Sequence, residues 1–343
     1  MTTRVNITSL IKEEYTKMPY KESPYFETPQ KYEKIWRYMP IDKFMAMLSE
    51  ESLYFPNIYS FNDKYEGGLS DKTREEVYKT NLLNEKNTPV KQDEEFIKRK
   101  GFIEQYRKFE KELEREHKVE ESLNLQDSFQ TLLTDFSNHL MFCSSWFLKE
   151  NESHSMWAEY GDKRNPTSVA IQTTIDDLIN SIESPDYQIH IGKVKYKDYD
   201  KEHIEGYEDF LSKDLTNPDN VLELFYAPIL HKRDIYEDEN EVRAIISFES
   251  ICENYLDRIY TSDIPFYSDR LFDEEYHRQF NFIRKTEKMA KIPKRGIPIE
   301  INLQTLLKAI VVSPNAKEYF RKPFGELMKN YNINPEIVYY SAI

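Results

Sequence analysis

Acidic and basic side chains crowd the start of one predicted strand late in the chain. Glu239 and Glu241 stand two residues apart where the alternating segment 241–248 begins, and Lys232 and Arg233 lie just upstream. Carboxylates beside cations at a strand end suit acid–base or electrostatic chemistry. The same spacing is equally typical of an exposed, salt-bridged turn. This cluster is the best single candidate for a reactive site.

A second pair of acids lies in an earlier segment, FNDKYEGG at 61–68. Asn-Asp and Gly-Gly are turn formers, so the segment is predicted to be a loop. Asp63 and Glu66 could contact a ligand hydroxyl or a metal. The favoured alternative is that both carboxylates cap local backbone amides, and their spacing does not resemble a calcium loop.

The stretch 141–174 is predicted to hold two strands joined by a loop and a short helix. Ser144 and Ser145 place small hydroxyls at the end of the first strand. Trp157 and Tyr160 lie about one helical turn apart on the connection. The stretch indicates one wall of a pocket, and composition favours the alternative of a core strand with an aromatic plug.

Composition limits the possible classes of protein. The chain has 343 residues, enough for one large or two modest domains, and a net charge of -14, which disfavours a polyanion partner such as nucleic acid. Cys143 and Cys252, the two cysteines, indicate a reducing cytosol and have no metal-site spacing. No stretch approaches a membrane span. We therefore expect a cytoplasmic protein without a bound metal.

Short apolar runs between unequal helical patterns predict an α+β fold with a central mixed sheet and flanking helices. The predicted strands are 35–38, 53–55, 141–146, 168–173, 189–196, 241–248, 298–302, 309–312 and 337–341. A regular alternation of strands and helices, as in a doubly wound sheet, is not present in this pattern.

Charge density divides the chain into three parts. Residues 1–31 are predicted to be an N-terminal helix and arm, and 32–69 together with 140–343 the α+β core domain. Segment 70–139 is highly charged and poor in Pro and Gly, which predicts a helical insertion. Its charged helices are typical of a solvated face, or alternatively of a protein-partner or homo-oligomer surface.

Eight short motifs occur in a fixed order between about residues 32 and 340. They are WRY (36–38), FNDKYEG (61–67), CSSW (143–146), SMWAEYG (155–161), VKY (194–196), HKR (231–233), ENEVR (239–243) and VVSPNA (311–316). This set resembles the bacterial family catalogued as domain of unknown function 2971. The family usually has proline at the position of Lys64. The resemblance implies a fold unit and no particular reaction.

A second resemblance, at the level of pattern, is to ADP-ribosyltransferase-like folds. Those folds carry Arg or His on a first strand, Ser on a middle strand and a Glu-x-Glu pair at a late strand. Arg37, Ser145 and the pair Glu239 and Glu241 match that order, although the middle strand reads Cys-Ser-Ser instead of Ser-Thr-Ser. The resemblance implies an NAD-consuming ADP-ribosyltransferase or NAD glycohydrolase with NAD as cosubstrate.

The same resemblance implies roles for the matched residues. Cleavage of the nicotinamide glycosidic bond passes through an oxocarbenium-like state that a fixed anion stabilises. Glu241 is expected to supply that anion, Glu239 to orient or deprotonate the acceptor, and Ser144 or Ser145 to order the site. The residues expected to bind the nucleotide are Arg37, Ser144, Trp157, Tyr160, Asp63 and Lys232. Arg37, Ser144 or Ser145, Trp157, Tyr160 and Glu241 are then predicted to line one cleft.

Two other functions stay open. Asp63, Glu66, Glu239 and Glu241 could instead form a metal-dependent, nuclease-like site, since two-metal chemistry needs clustered carboxylates. A non-catalytic sensor or interaction protein is the third possibility, with segment 70–139 as its partner surface. Chains of this composition are also typical of bacterial stress or anti-phage defence effectors.

Overall fold

The structure is a computed structural model that describes residues 19–61, 63, 65–73, 140–161, 167–207, 223–255 and 292–343. The helix predicted before residue 19 lies outside the described residues, as does nearly all of the predicted helical insertion. The statements below concern the described ranges.

A seven-stranded mixed sheet forms the centre of the described chain, in the order β11-β10-β4-β1-β3-β8-β5. The strands are β1 Lys34–Pro40, β2 Ser52–Pro56, β3 Cys143–Leu148, β4 Ser168–Thr174, β5 Ile189–Lys193, β6 Lys195–Lys197, β7 His231–Arg233, β8 Glu241–Ile246, β9 Gly296–Glu300, β10 Ala309–Val312 and β11 Val338–Tyr340. Neighbours in the sheet are antiparallel except β10 and β11. The other four strands form two separate two-stranded sheets, an antiparallel β2–β9 ribbon and a parallel β6–β7 pair.

Helices flank this sheet, and the predicted α+β class is confirmed. They are α1 Ile41–Glu50, α2 His154–Met156, α3 Ile175–Ser181, α4 Phe248–Tyr255, α5 Leu303–Leu306 and α6 Glu318–Asn330. A π-helical turn, Trp157–Gly161, continues α2. Local caps fix two helix starts: Thr174 accepts from the Asp177 amide, and Asn302 accepts from the Thr305 amide. No helix in the described ranges is long and apolar enough to cross a membrane.

Each of the nine predicted strands is present, with shifts of a few residues at their ends. The segment predicted as one strand at 189–196 is two strands, because the chain leaves the central sheet at Val194. Strand β7 was not predicted, since three residues give no readable alternation. The predicted N-terminal arm packs closely: Tyr20 pairs with Ile189, and Phe26 is buried. Residues 19–27 therefore extend the edge of the sheet beside β5.

Register between strands assigns each central residue to one side of the sheet. Trp36 lies opposite Phe147, and Phe147 lies opposite Glu241, so these three share a side. Arg37, next to Trp36, points to the other side and lies opposite Ile171, because side chains in a strand alternate. We call the side with Glu241 the network face and the side with Arg37 the core face.

Candidate functional site

A buried guanidinium holds two carboxylates together on the network face. Arg243, in the middle of β8, has no exposed surface. Its Nε donates to Glu241 Oε1 at 2.7 Å and its Nη2 donates to Glu241 Oε2 at 3.1 Å. Nη2 also donates to Glu66, and Nη1 donates to the Ile229 carbonyl at 2.5 Å. Arg243 thus makes four hydrogen bonds, three of them to carboxylate oxygens, as a buried charge requires.

A lysine extends this network toward the surface. Lys232 Nζ donates to Glu239 Oε2 at 2.5 Å and to Glu241 Oε2 at 3.2 Å. The other oxygen of Glu239 accepts from the Tyr160 hydroxyl at 2.7 Å. Glu241 is 6 % exposed, whereas the Glu239 side chain is 15 % and Tyr160 42 % exposed. We call these contacts, which join Glu66, Arg243, Glu241, Lys232, Glu239 and Tyr160, the ionic network.

Opposite charges set the protonation states within the network. Burial alone would raise the pKa of the Glu241 carboxyl, but Arg243 and then Lys232 outweigh it and hold the pKa at about 2. Burial likewise opposes the charge of Lys232, but Glu241 and Glu66 raise its pKa. The pKa of Tyr160 is raised by burial and by the neighbouring Glu239. Glu241 is therefore an anion, and Tyr160 a neutral donor, across the physiological range.

Two small residues flank Arg243 in the central sheet. Gly192 in β5 and Ser145 in β3 both lie opposite Arg243. A Cβ at Gly192 would come within 2.7 Å of Phe26 Cδ1, so a larger residue does not fit there. The Ser145 hydroxyl adds slightly to the low pKa of Glu241, although its oxygen makes no standard hydrogen bond to the described residues. Of the two serines considered for the site, Ser145 is the one that shares it with Glu241.

A second ion pair fixes the loop that carries Glu66. Asp63 Oδ2 accepts from Arg233 Nη2 at 3.1 Å, while its Oδ1 accepts from the Tyr65 amide at 3.1 Å. The capping that was favoured for Asp63 is therefore present, and its carboxylate is also paired. Segments 61–67, 231–233 and 239–243, three of the motifs noted in the sequence, meet at this point.

Arg37 does not share a cleft with Glu241, contrary to the prediction. It lies on the core face, where Nη1 donates to Ser144 Oγ at 2.5 Å and Nη2 donates to the Tyr54 carbonyl at 3.2 Å. Ser144 lies opposite Ala244, so it also faces away from Glu241. Alternation along β1 and β3 separates these residues, because one position decides the side of a strand.

Trp157 is part of the core and not an open stacking surface. It is 2 % exposed, its ring meets Tyr38 edge-on at 4.9 Å, and its Nε1 donates to Glu152 at 2.9 Å. The aromatic plug that composition favoured is therefore what the structure contains. Tyr160, three residues later, is the aromatic residue of this turn that reaches Glu239 at the surface.

Arg243 was not predicted as a site residue. The signal was available, since an arginine at a central position of an apolar strand must find a partner. That partner, Glu66, is 177 residues away in the sequence, and no local pattern connects the two. Glu66 was considered as a loop cap, a contact to a ligand hydroxyl or a metal ligand, and not as a partner of Arg243.

The described residues hold other polar features away from the network. No group of three or more His, Cys, Asp or Glu among them is placed to hold a metal ion. An open cavity of about 530 Å³ lies between the end of α1, β2, β9 and Tyr331, with Glu50, Glu51 and Glu300 on its rim. The ionic network does not line this cavity.

Comparison with protein-family models, with curated proteins and with solved structures finds no match to this chain. The resemblances to the family of domain of unknown function 2971 and to ADP-ribosyltransferase-like folds therefore stay predictions.

Two buried groups make the fold sensitive to acid. His231 donates Nδ1–H to the Ala227 carbonyl at 2.6 Å, and burial lowers its pKa to about 4 from the usual 6.5. The unfolded chain takes up this proton first, so stability should fall as the pH drops from about 6.5 to 4, by on the order of 3 kcal/mol. The pKa of Glu241 is lowered to about 2 from the usual 4.5. Its ionised form therefore contributes fully to the free energy of unfolding above about pH 4.5, and this contribution should be lost as the pH falls from 4.5 to 2.

Urea unfolding at pH 7, 5.5 and 4.5 measures the loss of stability that is due to His231. His231→Asn is the matched variant, since its amide can still donate to the Ala227 carbonyl but does not titrate. We expect a flatter pH dependence in the variant between 6.5 and 4.5. Equal slopes in the two proteins would show that His231 is not the responsible group.

Proposed function

We propose that this chain is an NAD-consuming enzyme, an ADP-ribosyltransferase or an NAD glycohydrolase, that reacts at the surface end of the ionic network. The observation that carries the proposal is a pair of carboxyl groups at the start of β8, held by Lys232 and joined to an exposed tyrosine. Cleavage of a glycosidic bond with nicotinamide as leaving group requires a preorganised anion beside the ribose.

The difference in burial between Glu239 and Glu241 indicates a different role for each. Glu241 is almost inaccessible and accepts from both Arg243 and Lys232. Glu239 is more exposed and is oriented by Lys232 and the Tyr160 hydroxyl. We therefore assign Glu239 as the carboxylate that faces the substrate, and Glu241 as a positioning residue that fixes Lys232. Arg37 has no part in this site.

The second candidate is a non-catalytic interaction protein. Each of the four acids considered for chemistry is paired with a cation: Asp63 with Arg233, Glu66 and Glu241 with Arg243, and Glu239 with Lys232. Such pairing is also what a structural ion network needs. The same pairing argues against the nuclease-like alternative, because these carboxylates point to cations on the protein and not to a common centre.

Incubation of the purified protein with NAD, followed by chromatography of the products, tests the proposal. We expect release of nicotinamide together with free or protein-linked ADP-ribose, and a rise in melting temperature with NAD, since a ligand that binds the folded state stabilises it. Absence of nicotinamide release, with candidate acceptor proteins and activators supplied, would exclude the enzyme and leave the interaction protein.

A further inference from the structure

The two edges of the central sheet differ in what covers them. At β5 the N-terminal arm pairs with the edge: the Ile189 amide donates to the Pro19 carbonyl at 2.8 Å, and the Ile189 carbonyl accepts from the Lys21 amide at 3.1 Å. At the opposite end β11 is the last strand, and no strand of the described ranges pairs with its outer side. An open strand edge can pair with a strand of another chain.

Backbone hydrogen-bonding groups of Tyr340 lie on this open edge. The Ser341 amide donates to the Val312 carbonyl at 3.0 Å, so Ser341 faces β10. Successive residues of a strand direct their N–H and C=O groups to alternate sides, and those of Tyr340 therefore point outward. β11 has the sequence VYY, without the lysine or proline that protects many natural edges.

Exposed tyrosines are concentrated beside the same edge. Tyr319, Tyr339 and Tyr340 are 75 %, 53 % and 39 % exposed, and they are half of the exposed tyrosines in the described ranges. The Arg321 guanidinium lies 4.6 Å from the centre of the Tyr340 ring, and the Tyr340 hydroxyl donates to the Arg321 carbonyl at 3.3 Å. The start of α6 and β11 thus form one surface of tyrosine and arginine, residue types that are enriched in protein interfaces.

We propose that β11 is a dimer surface, on which a second copy of this chain pairs antiparallel about a two-fold axis and joins the two central sheets. Charge favours this occupant. Glu336 is exposed just before β11, whereas Arg321 lies beside Tyr340 at the other end of the strand. Antiparallel pairing brings Glu336 of each copy toward Arg321 of the other, so the edge is complementary to itself. This surface includes no residue of the ionic network and is independent of the proposed reaction.

The short strand limits the strength of the dimer. Because β11 has three residues, the contact is small, and we expect a dissociation constant on the order of 10 μM or weaker. At concentrations roughly tenfold lower, which suffice for urea unfolding, the chain is then monomeric and Arg321 is an ordinary surface residue.

Sedimentation velocity of the whole chain, from roughly 1 to 200 μM, tests the pairing over a range that brackets this constant. We expect the average mass to rise from one chain toward two. Tyr339→Lys places a charge on the edge and should weaken association about tenfold or more. Tyr32→Lys is the matched control, since Tyr32 is 76 % exposed and precedes β1. A monomer at every concentration, or a dimer of equal strength in Tyr339→Lys, would overturn the proposal.

Charge reversal tests the antiparallel arrangement separately. Arg321→Glu and Glu336→Arg should each weaken the dimer, because each places like charges together across the two-fold axis. The variant that carries both changes should recover most of the native affinity, since each unlike pair is restored in reverse. Both residues are exposed, so the melting temperature of the dilute chain should change little. A double variant that associates no better than the single variants would refute this pairing.

Discussion

Replacing Arg243 by methionine should lower the free energy of unfolding by about 3–5 kcal/mol, the usual cost of removing one partner from a buried ion pair. The substitution leaves Glu241 and Glu66 buried with one cation fewer, and the Ile229 carbonyl without its donor. Urea unfolding at pH 7 measures the change. Arg321→Met, at a pair on the surface of α6, is the matched control and should change stability by no more than about 0.5 kcal/mol.

A double-mutant cycle separates the ion pair from simple loss of packing. Glu66→Gln and Arg243→Met should each destabilise the protein, and the double variant should cost less than the sum of the two, because the residues contact each other. Additive effects would mean that the contact between Glu66 and Arg243 contributes no coupling energy.

Replacing Glu239 by glutamine should reduce NAD turnover by a factor of roughly 10² or more, the scale of losing one preorganised electrostatic contact. The amide keeps the size of the side chain and can still accept from Tyr160, so the melting temperature should change little. Nicotinamide release and thermal melting, measured on the same preparation, provide the two readouts.

Glu241→Gln serves as the contrast in that experiment. Glu241 is not part of an exposed turn, since it is 6 % exposed and accepts from two cations. The amide would leave Arg243 and Lys232 undercompensated, so stability and turnover should fall together. If Glu239→Gln keeps full turnover, Glu239 does not face the substrate and the assignment of roles fails.

Much of the architecture was predictable because apolar runs of strand length are visible in the sequence. β1, β4 and β10 were located to within two residues because each is a short apolar run bounded by turn residues or helix caps. Register was not predictable, and a shift of one residue exchanges the faces. Arg37 and Glu241 were correctly predicted to lie on strands, but the prediction that they share one side of the sheet was wrong.

The acidic cluster at the start of β8 was also recognised, and it is salt-bridged but not an exposed turn. Glu239 and Lys232 do contact each other, as in the salt-bridged turn, but Lys232 and Glu241 are buried. Burial depends on what covers the network face, including Glu66 from a distant loop. Local spacing carries no information about such long-range cover, which is why the electrostatics of the site had to come from the structure.

The position of β1 in the sheet has a consequence for how the chain is made. β1 lies between β3 and β4, and Arg37 and Ser144 are 107 residues apart. At synthesis rates of roughly 5–20 residues per second, β1 leaves the ribosome about 5–20 s before its first neighbouring strand exists. Ile35 and Met39, buried in the finished sheet, are open to solvent or to chaperones during that interval. Of the described strands, the first to be synthesised is therefore buried only after later strands have formed.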